Sequence, residues 1–201
     1  MGLKLNIGSG TDYRAGFVNI DSNPRAKSDL CVDATELPFG ENSVDYVMMR
    51  HSLEHIPREK VWHFFDRLYH VCRHGAVVEI WVPHFKGIHA CHPQHATLWG
   101  STSFEPTNVN NPARTTCGAE HYTDFTCKVL DVKLHFWMEG VAEDVRAKSK
   151  KFKLYWLNCK WFWNCGGSLY RQFWERFNPF GFDEVYYKLK VIKPFKSADA
   201  D

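Results

Sequence analysis

The sequence lacks several features that would place it directly in a functional class. Its 201 residues include seven cysteines but no Cys-x-x-Cys pair, so the usual zinc-ribbon and dithiol redox motifs are excluded. No apolar run approaches the roughly 18 residues of a membrane span, and the N-terminus has no signal-peptide pattern. Lys and Arg number 25 against 23 Asp and Glu, so no basic excess indicates nucleic acid. These absences predict a cytoplasmic protein with reduced thiols, no membrane insertion and no nucleic-acid partner.

The N-terminal stretch has the pattern of a nucleoside-binding edge. Apolar residues in Leu3–Ile7 predict a buried strand. Gly8-Ser9-Gly10 then predicts a tight turn whose backbone N–H groups are free for an anion. A second apolar piece, residues 17–20, ends at Asp21, whose carboxylate can accept the hydroxyls of a ribose.

Other nucleotide-binding motifs fit this stretch less well. A dinucleotide fingerprint needs a third glycine where Tyr13 stands, and an acid about 20 residues beyond the motif, whereas Asp21 comes earlier. A phosphate-binding Walker loop needs Gly-Lys-Ser/Thr, which does not follow. The spacing favours a ligand with a ribose but no pyrophosphate. S-adenosylmethionine fits best, with its amino-acid end at the glycine turn and its ribose on Asp21.

Further strands alternate with one well-marked helix. The apolar pattern predicts a helix that begins at Pro57 and ends at Gly75. The predicted later strands are 30–34, 44–49, 76–82, 129–137 and 184–192. This alternation predicts a single α/β domain over residues 1–201 with a largely parallel sheet, whose ligands lie beyond the carboxyl ends of the strands. Insertions at about 84–128 and 138–181 are expected to form a cap or substrate region.

The first 83 residues resemble a class I S-adenosylmethionine-dependent methyltransferase of the small type-11-like group. The motifs LNIGSG, VNID, DATELPFGENSVDYV and HSLEHI carry the resemblance. The resemblance implies a Rossmann-like fold: a mostly parallel seven-stranded sheet with an antiparallel last strand and helices on both faces.

The same resemblance implies a set of site residues. Gly8 and Gly10 would approach the methionine moiety, Asp21 would hold the ribose, and Asp33 with Ala34 would border the adenine. Met49, Arg50 and His51 would line the floor beneath the methyl group. The full set of expected cofactor-binding residues is Asn6, Gly8, Ser9, Gly10, Asp21, Asp33, Ala34, Met49 and Arg50. For Asp33, a cap on the following turn is the alternative.

The chain departs from the family where the cofactor should be covered. It begins almost on the first strand, and only residues 11–16 separate the glycine turn from the second strand. A lid is therefore expected from the two late insertions. An aromatic helix face is predicted to dock it on the sheet, formed by Tyr170, Phe173, Trp174 and Phe177. Peripheral membrane contact and nucleic-acid binding are alternatives for the stretch around it.

Three histidines are candidate catalytic bases: His51 after the fourth strand, and His84 and His95 in the segment that follows the fifth. A metal site is the alternative for that segment. Its candidate ligands are His84, His89, His92 and His95, with Cys91, Cys117 and His121 nearby. Because no pair has a typical zinc spacing and Pro93 interrupts any helix, we predict no metal.

The expected reaction is transfer of a methyl group to a small-molecule or sugar acceptor, first of all at oxygen. Arg50-His51-Ser52-Leu53 stands where amino-methylating relatives that act on DNA carry Asn/Asp-Pro-Pro-Tyr. Two alternatives remain at this point: a catalytically silent S-adenosylmethionine-binding regulatory module and an RNA methyltransferase.

Overall fold

A computed structural model describes residues 2–112, 118–135, 167–177 and 182–193. The strands are β1 Leu3–Ile7, β2 Val18–Asp21, β3 Leu30–Cys31, β4 Val44–Arg50, β5 Cys72–Pro83, β6 Cys127–His135 and β7 Glu184–Val191. The α-helices among these residues are α1 Val61–Val71 and α2 Ser168–Phe177. Neither helix is long and apolar enough to cross a bilayer.

All seven strands form one sheet in the order β3-β2-β1-β4-β5-β7-β6. The first five strands are mutually parallel where they pair, and β7 runs antiparallel to both of its neighbours, β5 and β6. The predicted fold class is thereby confirmed, including the late antiparallel pair. Strand β3 is shorter than predicted, since residues 34–36 turn into a 3-10 helix instead of extending it.

The first two crossovers use no helix, so the helical layers of the fold are reduced at this end of the sheet. Residues 8–17 and 22–29 are turns and bends. Buried Asn19 holds them together, since its amide oxygen accepts from Asn6 Nδ2 at 2.9 Å and its amide nitrogen donates to Asp29 Oδ2 at 2.9 Å. Asn6 Nδ2 also donates to the carbonyl of Asp12 at 2.7 Å. A small polar network thus positions the chain where a helix usually lies.

The end of α1 differs from the prediction. The helix stops at Val71, and Cys72 already has extended backbone angles and pairs with Val44 of β4. Pairing with the sheet therefore competes successfully with the last predicted helical turn. Gly75 lies inside β5, where its φ of 84° accompanies a register shift between the two strands.

Candidate functional site

The turn after β1 lies directly against the segment after β4. Gly8 has a φ of 71°, and a Cβ atom there would lie 2.2 Å from the Cβ of Ser52. Ser52 Oγ donates to the carbonyl of Ile7 at 3.0 Å, which fixes this approach. A side chain at position 8 would therefore separate the two segments, and glycine is required for both conformation and space.

The backbone N–H groups of this turn are not free. Gly8 and Ser9 donate to the carbonyl of Ile20 at 2.8 and 2.9 Å, so the parallel pairing of β1 with β2 continues into the turn. Gly10 donates to Asp21 Oδ2 at 2.7 Å. The prediction of free N–H groups for an anion is therefore wrong at these three positions.

Asp21 ends β2 beside the glycine turn, as the sequence predicted for a nucleoside edge. Its side chain is partly buried, and its Oδ1 accepts from the N–H of Asn23 at 2.9 Å. Each carboxylate oxygen can accept more than one hydrogen bond. Asp21 therefore keeps acceptor capacity for hydroxyl groups while its orientation is fixed from two sides.

Asp33 is the N-cap of the 3-10 helix Ala34–Glu36. Its Oδ1 accepts from the N–H of Thr35 at 2.8 Å and from the hydroxyl of Thr35 at 2.7 Å. These hydrogen bonds lower the pKa of the Asp33 carboxyl, although burial opposes them. The capping alternative is thus observed, and a contact between Oδ2 and adenine stays a prediction.

The remaining expected cofactor residues divide into buried and exposed positions. Asn6, Ser9 and Met49 are 2%, 2% and 0% exposed, so their side chains support the edge from below. Arg50 is exposed, and its guanidinium lies 5.5 Å from the ring centroid of Trp81 and 3.9 Å from the carboxylate of Asp12. Only Arg50 among these four offers a side chain to a ligand at the open edge.

A carboxylate–histidine cluster lies at the same edge of the sheet and consists of His51, Glu54, His135 and Glu184. Glu184, at the start of β7, lies 3.0 Å from His51 Nε2 and 2.8 Å from His135 Nδ1. Glu54 Oε1 lies 3.6 Å from His51 Nδ1. Both carboxylates are buried, whereas the side chain of His51 is 34% exposed. His51 is therefore the member of the cluster that a bound molecule can reach.

The contacts within the cluster shift the pKa values of His51 and Glu184 in opposite directions. Contact with Glu184, and then with Glu54, raises the pKa of His51 to about 9, so this side chain carries a proton at neutral pH. Burial alone would raise the pKa of Glu184, but His135 and His51 outweigh it and lower the pKa to about 2. The backbone of His51 is also constrained, with a φ of 50° that is unfavourable for a residue with a Cβ.

His84 has a different environment from the one expected of a base. Its ring is fully buried, its Nε2 lies 2.8 Å from Glu175 Oε1, and its Nδ1 accepts from the N–H of Lys86 at 3.1 Å. Glu175 also accepts from the N–H and the hydroxyl of Ser101 at 2.7 and 2.6 Å. With both ring nitrogens occupied, His84 joins α2 to the loop after β5 and has no nitrogen left for an acceptor.

The docking face of α2 is not the aromatic face predicted from spacing. Phe173 and Phe177 are 52% and 61% exposed, so the prediction is wrong for these two rings. Trp174 packs against the core, and the neighbouring Glu175 is buried in its hydrogen bonds. Because Glu175 is hydrogen-bonded to His84 and Ser101, a polar residue can lie on the docking face of α2. The spacing of apolar residues alone does not reveal such a face.

His95 lies close to two residues that precede α1. One ligand atom each from Glu54, His55 and His95 lies within 4.8 Å of the others. The loop is held there by the N–H of Ala96, which donates to the carbonyl of Glu54 at 2.8 Å. Sequence spacing did not suggest this set, because His95 lies far along the chain from the other two. Two other candidate ligands of this segment do not join the set, since His84 is paired with Glu175 and Cys117 lies outside the described residues.

A cavity of about 310 Å³ opens between the start of α1 and the loop after β5. Its lining is largely aromatic, with polar groups at Arg58, Thr97, Ser103 and Thr107. The aromatic lining residues are Trp62, Phe65, Trp99, Phe104 and Phe125. Thr97 connects this cavity to the carboxylate–histidine cluster, because its N–H donates to the carbonyl of Glu54 at 3.3 Å.

Comparison with known proteins agrees with the geometry. Residues 7–80 match the model of a family described as a methyltransferase domain. No curated protein matches the sequence. Among solved structures, a SAM-dependent methyltransferase from Archaeoglobus fulgidus superposes with a TM-score of 0.53 at 16% identity, over 94% of this chain and 86% of that one.

Two further structures share the fold. One comes from the complex between the Haloferax volcanii Trm112 methyltransferase activator and a putative methyltransferase. It superposes with a TM-score of 0.54 at 14% identity, over 96% of this chain and 83% of that one. The other is the [4+2]-cyclase SpnF, with a TM-score of 0.53 and 13% identity over 96% and 76%. Sheet order and glycine turn define a class I methyltransferase fold. Residues 7–80 are thus similar to the methyltransferase domains of the type-11 group.

Proposed function

We propose that the protein transfers the methyl group of S-adenosylmethionine to an oxygen atom of a small-molecule or sugar acceptor. The observation that carries this proposal is the contact between Gly8 and Ser52. Ser52 lies between His51 and Glu54 in sequence, so the turn expected to hold the methionine end of the cofactor adjoins the carboxylate–histidine cluster. Methyl donor and acceptor groups thereby meet at one edge of the sheet.

The cofactor lies along the carboxyl ends of β1, β2 and β3 in this proposal. The glycine turn adjoins its methionine moiety, Asp21 accepts from its ribose hydroxyls, and Asp33 with Ala34 borders its adenine. Arg50 and His51 lie beneath the methyl group, with Met49 behind them in the core. The bound cofactor supplies a methyl group already activated by a sulfonium, so the protein mainly orients the acceptor and excludes water.

The cavity beside the cluster is the proposed acceptor pocket. At about 310 Å³ it matches the lower end of the size range of small-ligand pockets, which favours a small molecule or a single sugar over a macromolecule. Trp62 and Trp99 contribute apolar aromatic surface to its lining, and Arg58 adds a positive charge. The loop after β5 and α2, joined through Glu175, form the cap over this side.

An oxygen acceptor fits the polar groups of the cluster. A hydroxyl must lose its proton during methyl transfer, and this proton needs a nearby acceptor. His51 is the side chain that an acceptor can reach, with the carboxylates of Glu54 and Glu184 behind it. Only its unprotonated form can take this proton, so turnover should rise as the pH approaches the His51 pKa of about 9. The sequence Arg50-His51-Ser52-Leu53 replaces the Asn/Asp-Pro-Pro-Tyr motif that amino-methylating relatives acting on DNA carry after the fourth strand.

The test is a screen of metabolite extract fractions with methyl-labelled S-adenosylmethionine. We expect label in a small-molecule fraction as a methyl ether, identified by mass spectrometry. His51→Ala should lower turnover at least about 100-fold, the usual size of a proton-transfer contribution. His63→Ala, which removes an exposed histidine on α1, is the control.

Three results would contradict the proposal. Label in RNA or protein would indicate a macromolecular acceptor, and label on nitrogen would exclude the oxygen assignment. Binding of S-adenosylhomocysteine without turnover on any fraction would favour a catalytically silent binding module.

A further inference from the structure

We propose that Glu54, His55 and His95 bind one divalent transition-metal ion, with Zn²⁺ as the best fit. The ligand atoms of the three residues lie within 4.8 Å of one another. This proposal revises the sequence-based prediction of no metal, which considered only the histidines and cysteines of the loop after β5. The ligand set instead joins that loop to the turn before α1.

The carboxylate of Glu54 is the first observation that points to a cation. Glu54 is 1% exposed, and both of its oxygen atoms are buried without a hydrogen-bond partner in the described part of the chain. The Nδ1 atom of His51 lies 3.6 Å from Oε1, which is longer than a hydrogen bond. Protonated His51 compensates this charge on the Oε1 side only, and a bound cation would compensate the buried Oε2.

The two histidines provide a second and independent observation. His55 Nδ1 lies 3.1 Å from the carbonyl of Gln94, which leaves Nε2 for a metal. The ring of His95 hydrogen-bonds the backbone of His89. Its Nδ1 atom is buried and has no hydrogen-bond partner among the residues that the structure describes. A backbone carbonyl on one ring nitrogen, with the other nitrogen available, is the usual environment of a metal-binding histidine.

The ligand types select the metal. One carboxylate and two imidazoles suit Zn²⁺ and related first-row ions better than Mg²⁺ or Ca²⁺, which prefer oxygen ligands throughout. Zinc bonds of about 2.0–2.2 Å place tetrahedral ligand atoms about 3.4 Å apart. The ligand atoms, now within 4.8 Å of one another, must therefore approach by up to about 1.4 Å. The exposed side chain of His55 and the partly exposed His95 permit this movement.

Three protein ligands leave a coordination position open for water or another oxygen atom. Glu54 follows Ser52, which contacts the glycine turn, so an oxygen bound to the metal would lie near the proposed methyl donor. A hydroxyl bound to Zn²⁺ loses its proton more readily than a free one. This consequence rests on the proposed function, whereas the metal site itself does not.

The test measures metal binding without reference to turnover. Protein without a polyhistidine tag is stripped with a chelator, titrated with Zn²⁺ by calorimetry, and then analysed for metal content after dialysis. We expect one zinc per chain. His95→Asn should raise the dissociation constant at least about 100-fold, more than loss of an outer hydrogen-bond partner usually does, and Glu54→Gln should do the same.

Two matched variants control for other sources of zinc. His121→Asn changes an exposed ring outside residues 84–95, and Cys91→Ser removes an exposed thiol within them; both should bind zinc as the wild type does. Zinc should also raise the melting temperature of the wild type but not of His95→Asn, whose fold is checked by near-ultraviolet circular dichroism. Absence of zinc binding in the wild type, or equal binding in folded His95→Asn, would overturn the proposal whether or not methyl transfer is found.

Discussion

The two halves of the ligand-bearing edge are built in different ways. The half formed by β1, β2 and β3 takes its polar groups from one continuous stretch, residues 6–36, and most of their contacts are to the backbone. The half beyond β4 takes them from separate segments, with Glu54, His95, His135 and Glu184 meeting only in the folded chain. The first half is therefore encoded locally, and the second depends on the whole sheet.

This difference predicts different consequences of mutation. Side chains of the first half are held by N–H groups and are partly open to ligands, so their loss should mainly reduce cofactor affinity. Carboxylates of the second half are buried against histidines, so their loss should mainly reduce the free energy of unfolding. Each prediction below tests this division, in order of decreasing expected effect.

Glu184→Ala should have the largest effect. It leaves the imidazoles of His51 and His135 without the carboxylate that lies 3.0 and 2.8 Å from them. Breaking such a buried pair typically costs about 3 kcal/mol or more in the free energy of unfolding. Urea denaturation monitored by tryptophan fluorescence measures the loss. Asp131→Ala, which breaks the exposed pair with Lys133, should cost less than about 1 kcal/mol.

Acid denaturation gives a second measure of the same carboxylate. Because the pKa of Glu184 is lowered from 4.5 to about 2 in the folded protein, its contribution to stability is present above pH 4.5 and is lost as the pH falls towards 2. The difference in stability between wild type and Glu184→Gln should shrink over this range. A difference that stays constant down to pH 2 would show that Glu184 does not carry the interaction.

The division also explains how much the sequence could predict. Strand β1, the glycine turn and Asp21 follow from adjacent residues, so pattern and resemblance located them correctly. The end of α1 was misplaced because pairing of Cys72 with Val44 is a contact between distant residues. The docking face of α2 and the neighbours of His95 were missed for the same reason, since Glu175 needs His84 and Ser101, and His95 needs Glu54. Periodicity contains no information about such partners.

Asp21→Ala should have an intermediate effect, and on binding more than on stability. In the proposed complex the carboxylate accepts hydrogen bonds from the two ribose hydroxyls. Loss of such charge-assisted hydrogen bonds costs about 2 kcal/mol. The dissociation constant of S-adenosylhomocysteine should therefore rise roughly 30-fold. Calorimetry measures it. Asp12→Ala removes a neighbouring exposed acid and should change affinity less than about threefold. Equal affinities for wild type and Asp21→Ala would remove the ribose role.

Substitution of Asp33 should have the smallest effect on stability and cofactor affinity. This residue caps the 3-10 helix and is also expected to contact the adenine. As an N-cap of the 3-10 helix it stabilises the turn through Thr35, and Asp33→Ala should cost about 1 kcal/mol in the free energy of unfolding. Asp33→Ser separates the two roles, because serine is also a good N-cap but its shorter, uncharged side chain cannot reach an adenine amine. We therefore expect Asp33→Ser to melt within a few degrees of the wild type. It should bind S-adenosylhomocysteine about fivefold more weakly, a loss of about 1 kcal/mol at this partly exposed site.

If the serine variant binds as tightly as the wild type, Asp33 is a cap alone. The adenine must then be held by apolar contacts, and the locally encoded half of the edge would owe its affinity chiefly to Asp21.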